Sequence, residues 1–504
     1  MAVRMVGINK RFGAVAANAD VHLSIAAGTV HGIVGENGAG KSTLMSVLYG
    51  FYQADSGSIE VGGKPVDIRN SDDAIGLGIG MVHQHFMLVD TLTALENVML
   101  GAEPHWLLKR ADKQVRTQLE SLMKDTGLQV NLDALVRDLP VGDQQRLEIL
   151  KTLYRGAKVL ILDEPTAVLT PQETTHLFKV LSHLRSQGTT ILLITHKLKE
   201  VMGLCDCVTV MRAGRVVQEM PIAQASIEGL AEAMVGRKVQ MGRVQEAQKP
   251  LGPVLLSARN LQVRDALNVV RLSDVQLDLR AGEIVGIAGV SGNGQSELLD
   301  VLSGLLAPTQ GSMELGGQSF GTKSWLDPST ARTLGLAHVP EDRHARAMVM
   351  AFAAWESAVL GYDGLSQYTQ GGWMKHVGMR TATAQMMERF DVRPRDPELG
   401  SSKFSGGNQQ KLVLARELGQ APKVLLVGQP TRGVDIGAIE FIYSQLRAMR
   451  DAGCAVLVVS SELDEILALS SRVIVMNQGR VTGELAIEQC SEANLGMLMT
   501  GGVH

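Results

Sequence analysis

The stretch AAGTVHGIVGENGAGKSTLMSVLYGFYQADSGSIEVGGKPV, residues 26–66, returns as RAGEIVGIAGVSGNGQSELLDVLSGLLAPTQGSMELGGQSF, residues 280–320. Self-similarity on this scale makes the chain a duplication, which decides the architecture before any single motif does. The register continues: GIGMVHQHF (78–86) answers GLAHVPEDR (335–343), and LPVGDQQRLEIL (139–150) answers FSGGNQQKLVLA (404–415). VLILDEPT (159–166) answers VLLVGQPT (424–431), and ILLITH (191–196) answers VLVVSS (456–461). The offset grows from 254 at the loop (289 minus 35) to 265 at the later strand (428 minus 163), so the second copy has gained residues, most of them in its middle. Each copy alternates short apolar runs with helical stretches, the pattern of an α/β domain around a largely parallel sheet. KVQMGRVQEAQKPLGP, residues 238–253, is polar and ends in Pro and Gly, as a linker does. The expected domains are therefore 1–237 and 254–504, with 238–253 between them.

Composition narrows the class. A chain of 504 residues is too long for one ordinary core. Its 48 Lys and Arg against 52 Asp and Glu leave a net charge of -4 and no polybasic tail, so no nucleic-acid partner is expected. The apolar runs stop well short of the roughly 20 residues that cross a bilayer. MAVRMVGINKRFG at the start lacks the apolar core of a secretion signal, and the 4 cysteines are too few for a disulfide scaffold. A cytoplasmic chain is expected. Cys205 and Cys207 have no second ligand pair in the sequence and read as small buried side chains rather than a metal site.

In the first copy an apolar strand runs into Gly35, Glu36, Asn37, Gly38, Ala39, Gly40, Lys41, Ser42 and Thr43 and then into a helix. That context makes the stretch a phosphate-binding loop: glycines let backbone N–H groups close on phosphates, Lys41 neutralises β/γ charge, and Ser42 ligates Mg²⁺. VLILDEPT is an apolar strand ending in two carboxylates, Asp163 for the metal shell and Glu164 as the base for an attacking water. An acidic pair after a strand is often only a helix cap, but the loop about 120 residues earlier favours catalysis. Gln84 and His196, taken singly, are ordinary polar residues whose order relative to these motifs is what marks them.

The order of loop, Gln84, LSGGQ-like segment, acidic strand and His196 resembles the full motif set of ATP-binding cassette (ABC) domains, over nearly the whole chain and twice. The resemblance implies two tandem P-loop ATPase domains, each with a mostly parallel core sheet, an antiparallel β subdomain and a helical subdomain. The cofactors implied are ATP and Mg²⁺, with Ser42, Gln84 and Asp163 around the metal. PTRGVDIGA and the lysine-less GNGQSE of the second copy are similar to the tandem ATPase subunits of bacterial importers for nucleosides and simple sugars, leaning to the nucleoside branch. Such subunits are peripheral on the cytoplasmic face of the inner membrane. Their partners are two permeases, expected here to differ, and an extracytoplasmic solute-binding protein. TLTALENVML (91–100) and MAFAAWESAVL (350–360) would meet the permeases, and HWLLKRADKQVRTQLESLM (105–123) reads as a helix of the helical arm. Import of a monosaccharide or another small polar solute is the alternative, and a soluble tandem-cassette protein acting on ribosomes or DNA is a more distant one.

In the family, cassettes pair head to tail, so each ATP lies between one loop and the other cassette's signature. The first site would combine Lys41, Ser42, Gln84, Asp163, Glu164 and His196 with Ser405, Gly406, Gly407, Asn408 and Gln409 and the acid Asp435, with Phe12 stacking on adenine. The second would carry Gln295 for Lys41, Ser296 for Ser42, Glu341 for Gln84, Gly428 for Asp163, Gln429 for Glu164 and Ser461 for His196. Its opposing signature has Pro140 in place of Ser405, and Thr170 replaces Asp435. All the losses fall on one site. A unit charge pair near 4 Å at an effective ε of about 20 is worth about 4 kcal/mol, so the missing lysine alone weakens phosphate contact severely. One hydrolytic site per chain is expected.

Overall fold

The computed structural model describes residues 1–13, 15–83, 86–102, 112–166, 169, 171–238, 250–290 and 292–499. Gln84, Thr170, the start of the expected arm helix (105–111) and most of the expected linker (239–249) lie outside the described residues. The chain divides into two compact units, 1–239 and 240–504.

Each unit is built on a six-stranded core sheet whose inner strands are largely apolar. In the first unit Val30–Gly35, Ile79–Val82, Val159–Asp163 and Thr190–Ile194 are buried at every position. Strands covered on both faces need such unbroken runs, and they pair in parallel here. The six-stranded sheet runs Arg215–Pro221, Cys207–Arg212, Val30–Gly35, Thr190–Ile194, Val159–Asp163, Ile79–Val82, and only the first of these pairs antiparallel to its neighbour. The second unit repeats the order: Arg480–Ala486, Arg472–Asn477, Ile284–Ala288, Ala455–Ser460, Val424–Gly428, Leu336–Val339. The duplication thus holds strand by strand.

A four-stranded antiparallel sheet stands beside each core. In the first unit it runs Val15–Ile25, Val3–Phe12, Ser56–Val61, Lys64–Val66, and in the second Val270–Arg280, Val254–Arg264, Gln310–Leu315, Gln318–Gly321. Alternate residues of Val3–Phe12 and Val15–Ile25, among them Val3, Met5, Val21, Leu23 and Ile25, pack on the loop helix Lys41–Leu48 and the core strands. A helical part completes each unit: Ala94–Met99, Asp112–Thr126 and Val141–Tyr154 in the first, Ala354–Val359, His376–Arg389 and Gly406–Leu418 in the second. Thr93 starts the first of these with a capping box, its hydroxyl accepting from Glu96 N while Glu96 Oε2 accepts from Thr93 N.

Part of the second copy's gain is a small hairpin, Thr369–Gln370 with Trp373–Met374, turned by Gly371 and Gly372 at φ 59° and 83°. Both glycines are left-handed, as a two-residue hairpin turn that follows the strand twist requires. Cys205 is buried, its thiol pushed up to about 12 by burial, whereas Cys207, expected buried, is only half-buried at the start of its strand, and no metal-binding group of His, Cys, Asp or Glu is found among the described residues. Among those residues no helix is long and apolar enough to cross a membrane.

Candidate functional site

The first unit's loop connects the central strand Val30–Gly35 to the helix Lys41–Leu48, so its backbone donors lie at a sheet's C-terminal edge and a helix N-terminus together. Gly40 sits at φ 95°, and a Cβ there would stand 2.2 Å from the Ala17 carbonyl oxygen, so no other residue fits. Asn18 Nδ2 donates to Gly40 O at 3.0 Å and secures that turn from the antiparallel sheet. Nothing in the motif itself points to Asn18. Lys41 Nζ donates to Gly35 O at 2.8 Å and Glu36 O at 3.0 Å, so its charge rests on carbonyls of the loop.

The strand Val159–Asp163 brings both carboxylates to the same edge. Burial pushes the Asp163 carboxyl above its ordinary value, a hydrogen bond from Ser42 opposes this, the charge on Glu164 adds to it, and the charge on Lys41 pulls back. Its Oδ1 is buried without a hydrogen-bond partner among the described residues. A sheltered carboxylate oxygen with spare capacity beside a hydroxyl suits a hard divalent cation. Glu164 lies at φ 50°, a left-handed conformation that a glutamate rarely adopts. There its Oε1 meets His196 Nδ1 at 2.9 Å, while Oε2 is sheltered and has no hydrogen-bond partner among the described residues. Behind them Thr166 Oγ1 donates to Glu200 Oε1 at 2.6 Å, a buried link the motifs do not announce. Lys41, Ser42, Asp163, Glu164 and His196 therefore converge. Phe12 is 44% exposed, with its ring edge-on to Tyr52 at 5.1 Å, which places it outside the hydrophobic core.

The second unit keeps the frame and changes the groups. Gly292 and Gly294 hold φ 89° and 97°, close to 82° and 95° at Gly38 and Gly40. Gln295 Nε2 donates to Val290 O at 3.1 Å, as Lys41 does to the equivalent Glu36 O, but without charge. Gln429 is left-handed at φ 46°, like Glu164, and its Oε1 accepts from Ser461 N and Oγ at 3.2 and 3.1 Å. A neutral pair has replaced the Glu164–His196 pair in the same geometry. At Gly428 the lost carboxylate has left no void: a Cβ there would stand 2.4 Å from Glu341 Cγ. Glu341 Oε2 accepts from Ser296 Oγ at 2.6 Å, so a carboxylate still faces the loop serine, now from the neighbouring strand's end. Aligning the copies shows each of these changes separately, and only the structure shows that Gly428 and Glu341 form one exchange.

The signature segment of the second unit begins the helix Gly406–Leu418 with Ser405 exposed at its N-cap. Asn408 Nδ2 donates to Ser405 Oγ at 2.9 Å, and Gln409 Nε2 to Ser401 O at 3.1 Å. Gly406 and Gly407 lie so close to the Gly433 carbonyl and the Asp435 carboxylate that a Cβ would stand 2.9 and 3.1 Å from them. Asp435 itself caps the helix Ile436–Asp451, its Oδ1 accepting from Ala438 N at 2.8 Å. In the first unit Pro140 takes the N-cap position of Val141–Tyr154 with no side-chain hydrogen bond. A cavity of about 360 Å³ opens in that unit between Tyr49, Phe51, Met81 and His83 and the helical part's Asn97 and Leu100.

Comparison with known proteins bears on these features. The family model "ABC transporter" matches residues 19–167 and 272–432. The nucleoside import ATP-binding protein NupA of Lactococcus lactis is 42% identical over 99% of this chain and 98% of its own length. The guanosine import ATP-binding protein NupO of Bacillus subtilis is 42% identical over 99% and 97%, and the ribose import ATP-binding protein RbsA of Chromobacterium violaceum 37% identical over 100% and 98%. Among solved structures, the archaeal ribosome recycling factor in complex with a ribosomal stalk protein shares the fold, at TM-score 0.66 and 19% identity over 98% of this chain and 92% of its own. With two matched cassettes and full-length relatives at this identity, the chain belongs to the ABC transporter family as a tandem ATP-binding protein.

Proposed function

We propose that the chain is the ATP-hydrolysing subunit of an importer for nucleosides, working with two permeases and an extracytoplasmic solute-binding protein at the inner face of the cell membrane. The observation that carries the reading is the asymmetry between Glu164–His196 and Gln429–Ser461: one backbone geometry, with a base on one side and a neutral amide on the other. Full-length likeness to two nucleoside-type import proteins supports the solute class.

Hydrolysis takes place at the first unit's loop. Lys41 leaves the loop carbonyls for the β- and γ-phosphates, and the backbone donors of residues 38–43 cradle them. Ser42 and Asp163, with Gln84, would hold a Mg²⁺ ion, which when bound would supply positive charge against the phosphate oxygens. Glu164 takes a proton from the attacking water through Oε2, while His196 fixes the carboxylate through Oε1. Ser405, Gly406, Gly407, Asn408 and Gln409 of the second unit complete this site, with Asp435 beside them and Phe12 against adenine. Gln295, Gly428, Gln429, Ser461 and the opposing Pro140 leave the other site without turnover. The cavity beside Asn97 and Leu100 receives a cytoplasmic helix of a permease.

The test uses the chain reconstituted with its permeases and binding protein. Glu164→Gln should lower ATPase activity by at least about 10²-fold, the usual range for a general base, while Gln429→Glu leaves it within about twofold. Stimulation by a nucleoside and none by ribose or glucose supports the solute class. Half the activity remaining in Glu164→Gln would mean that both sites turn over.

A further inference from the structure

The segment PEDRHAR, residues 340–346, stands where the first copy has HQHFMLV, residues 83–89. Arg343 and His344 thus replace Phe86 and Met87, and the structure shows what they reach. Arg343 Nη1 donates to Arg432 O at 3.0 Å and its Nε to Gln409 Oε1 at 3.4 Å. His344 Nε2 hydrogen-bonds to the same Gln409 Oε1 at 2.8 Å. Asp342 sets their approach, its Oδ1 accepting from His344 N and Ala345 N at 2.9 and 3.0 Å. Gly406 is open enough for the guanidinium to lie against it, since a Cβ there would stand 2.7 Å from Arg343 Nη2.

The same segment is fastened to the loop helix Gln295–Leu302 at both its ends, through Ser296 to Glu341 and through the ion pair of Arg346 with Asp300. A continuous path of polar contacts therefore runs from the second unit's loop helix, through residues 341–346, to Gln409 in the signature helix and to the carbonyl of Arg432, three residues before Asp435. Among the described residues of the first unit, Gln144, the counterpart of Gln409, donates its amide to Val136 O and Leu139 O of its own preceding turn.

We propose that Arg343 and His344 are positioning residues for ATP hydrolysis: from the second unit's own loop helix they hold the signature segment Ser405–Gln409 in its working pose. A charge-assisted bond to a backbone carbonyl and a shared glutamine oxygen suit that task, because they constrain direction as well as distance. This rests on the reading that the second unit's signature serves the first unit's loop.

The experiment is steady-state ATPase of the assembled importer with Arg343→Ala, His344→Ala, their double variant and Arg343→Lys, with Ser405→Ala measured in parallel. The double variant should lower kcat about tenfold, equivalent to about 1.4 kcal/mol, with KM for ATP within about twofold and an unchanged thermal midpoint, and Arg343→Lys should recover part of the loss. If Arg343→Ala fails to fold, His344→Ala decides alone, since His344 is exposed and its truncation leaves the core intact. A several-fold fall in its kcat supports the proposal. If Ser405→Ala abolishes turnover while the Arg343 and His344 variants keep wild-type kcat, the positioning role is overturned. If Ser405→Ala leaves kcat unchanged, the cross-unit reading itself fails.

Discussion

At Gly428 the second unit has moved a carboxylate rather than deleted one. Asp163 points from its strand at Ser42, whereas Glu341 reaches Ser296 from the next strand's end through the space that a Cβ at residue 428 would occupy. Restoring aspartate there must therefore overpack the site. Gly428→Asp should lower unfolding stability by about 1–3 kcal/mol, the usual cost of forcing a side chain into filled space. Removing Glu341 Cγ with Glu341→Ala should recover part of that loss in the double variant, as residues in contact couple. Urea titration of the four proteins measures the coupling, and strict additivity would show that the two positions do not share the space.

On the scale of single elements, the copies differ most clearly where their helical parts begin. Thr93 and Glu96 satisfy each other's backbone at the start of Ala94–Met99, but in the second unit Ala353 has no hydroxyl to return what Glu356 Oε2 receives from Ala353 N at 2.8 Å. Half a capping box remains. Thr93→Ala should cost about 1 kcal/mol and Ala353→Thr should gain a comparable or smaller amount, read from shifts in denaturation midpoint with the slope unchanged. The same reasoning explains a boundary that is hard to read beforehand: the hairpin Thr369–Met374 rests on two adjacent glycines and two short strands, too little sequence to carry a strand pattern.

For the whole molecule, two units share one strand order and the left-handed glycines of the loop, yet only the first carries Lys41, Asp163 and Glu164. Nucleotide should accordingly stabilise them unequally. In calorimetry of the isolated chain, Mg²⁺ with ATP at about 100 times Kd should stabilise one unit by about 2.7 kcal/mol and leave the other's transition in place. Lys41→Ala should remove that shift. Equal shifts of both transitions that persist in Lys41→Ala would mean that the second loop's backbone donors bind nucleotide without the lysine.

The sequence by itself determined the duplication, the α/β class, the loop around Lys41 and the acidic strand end at Asp163 and Glu164. Each of these is local: a turn needs its glycines, a buried parallel strand needs an unbroken apolar run, and both leave their mark within ten residues. The left-handed glutamate that hands one oxygen to His196, the Gly428–Glu341 exchange and the path from Ser296 through Arg343 to Gln409 were decided only by the tertiary structure. They join residues 32, 87 and 66 positions apart, as in Glu164 with His196, Glu341 with Gly428 and Arg343 with Gln409. Contacts of that range are made by sheet order and packing, and no periodicity along the chain records them.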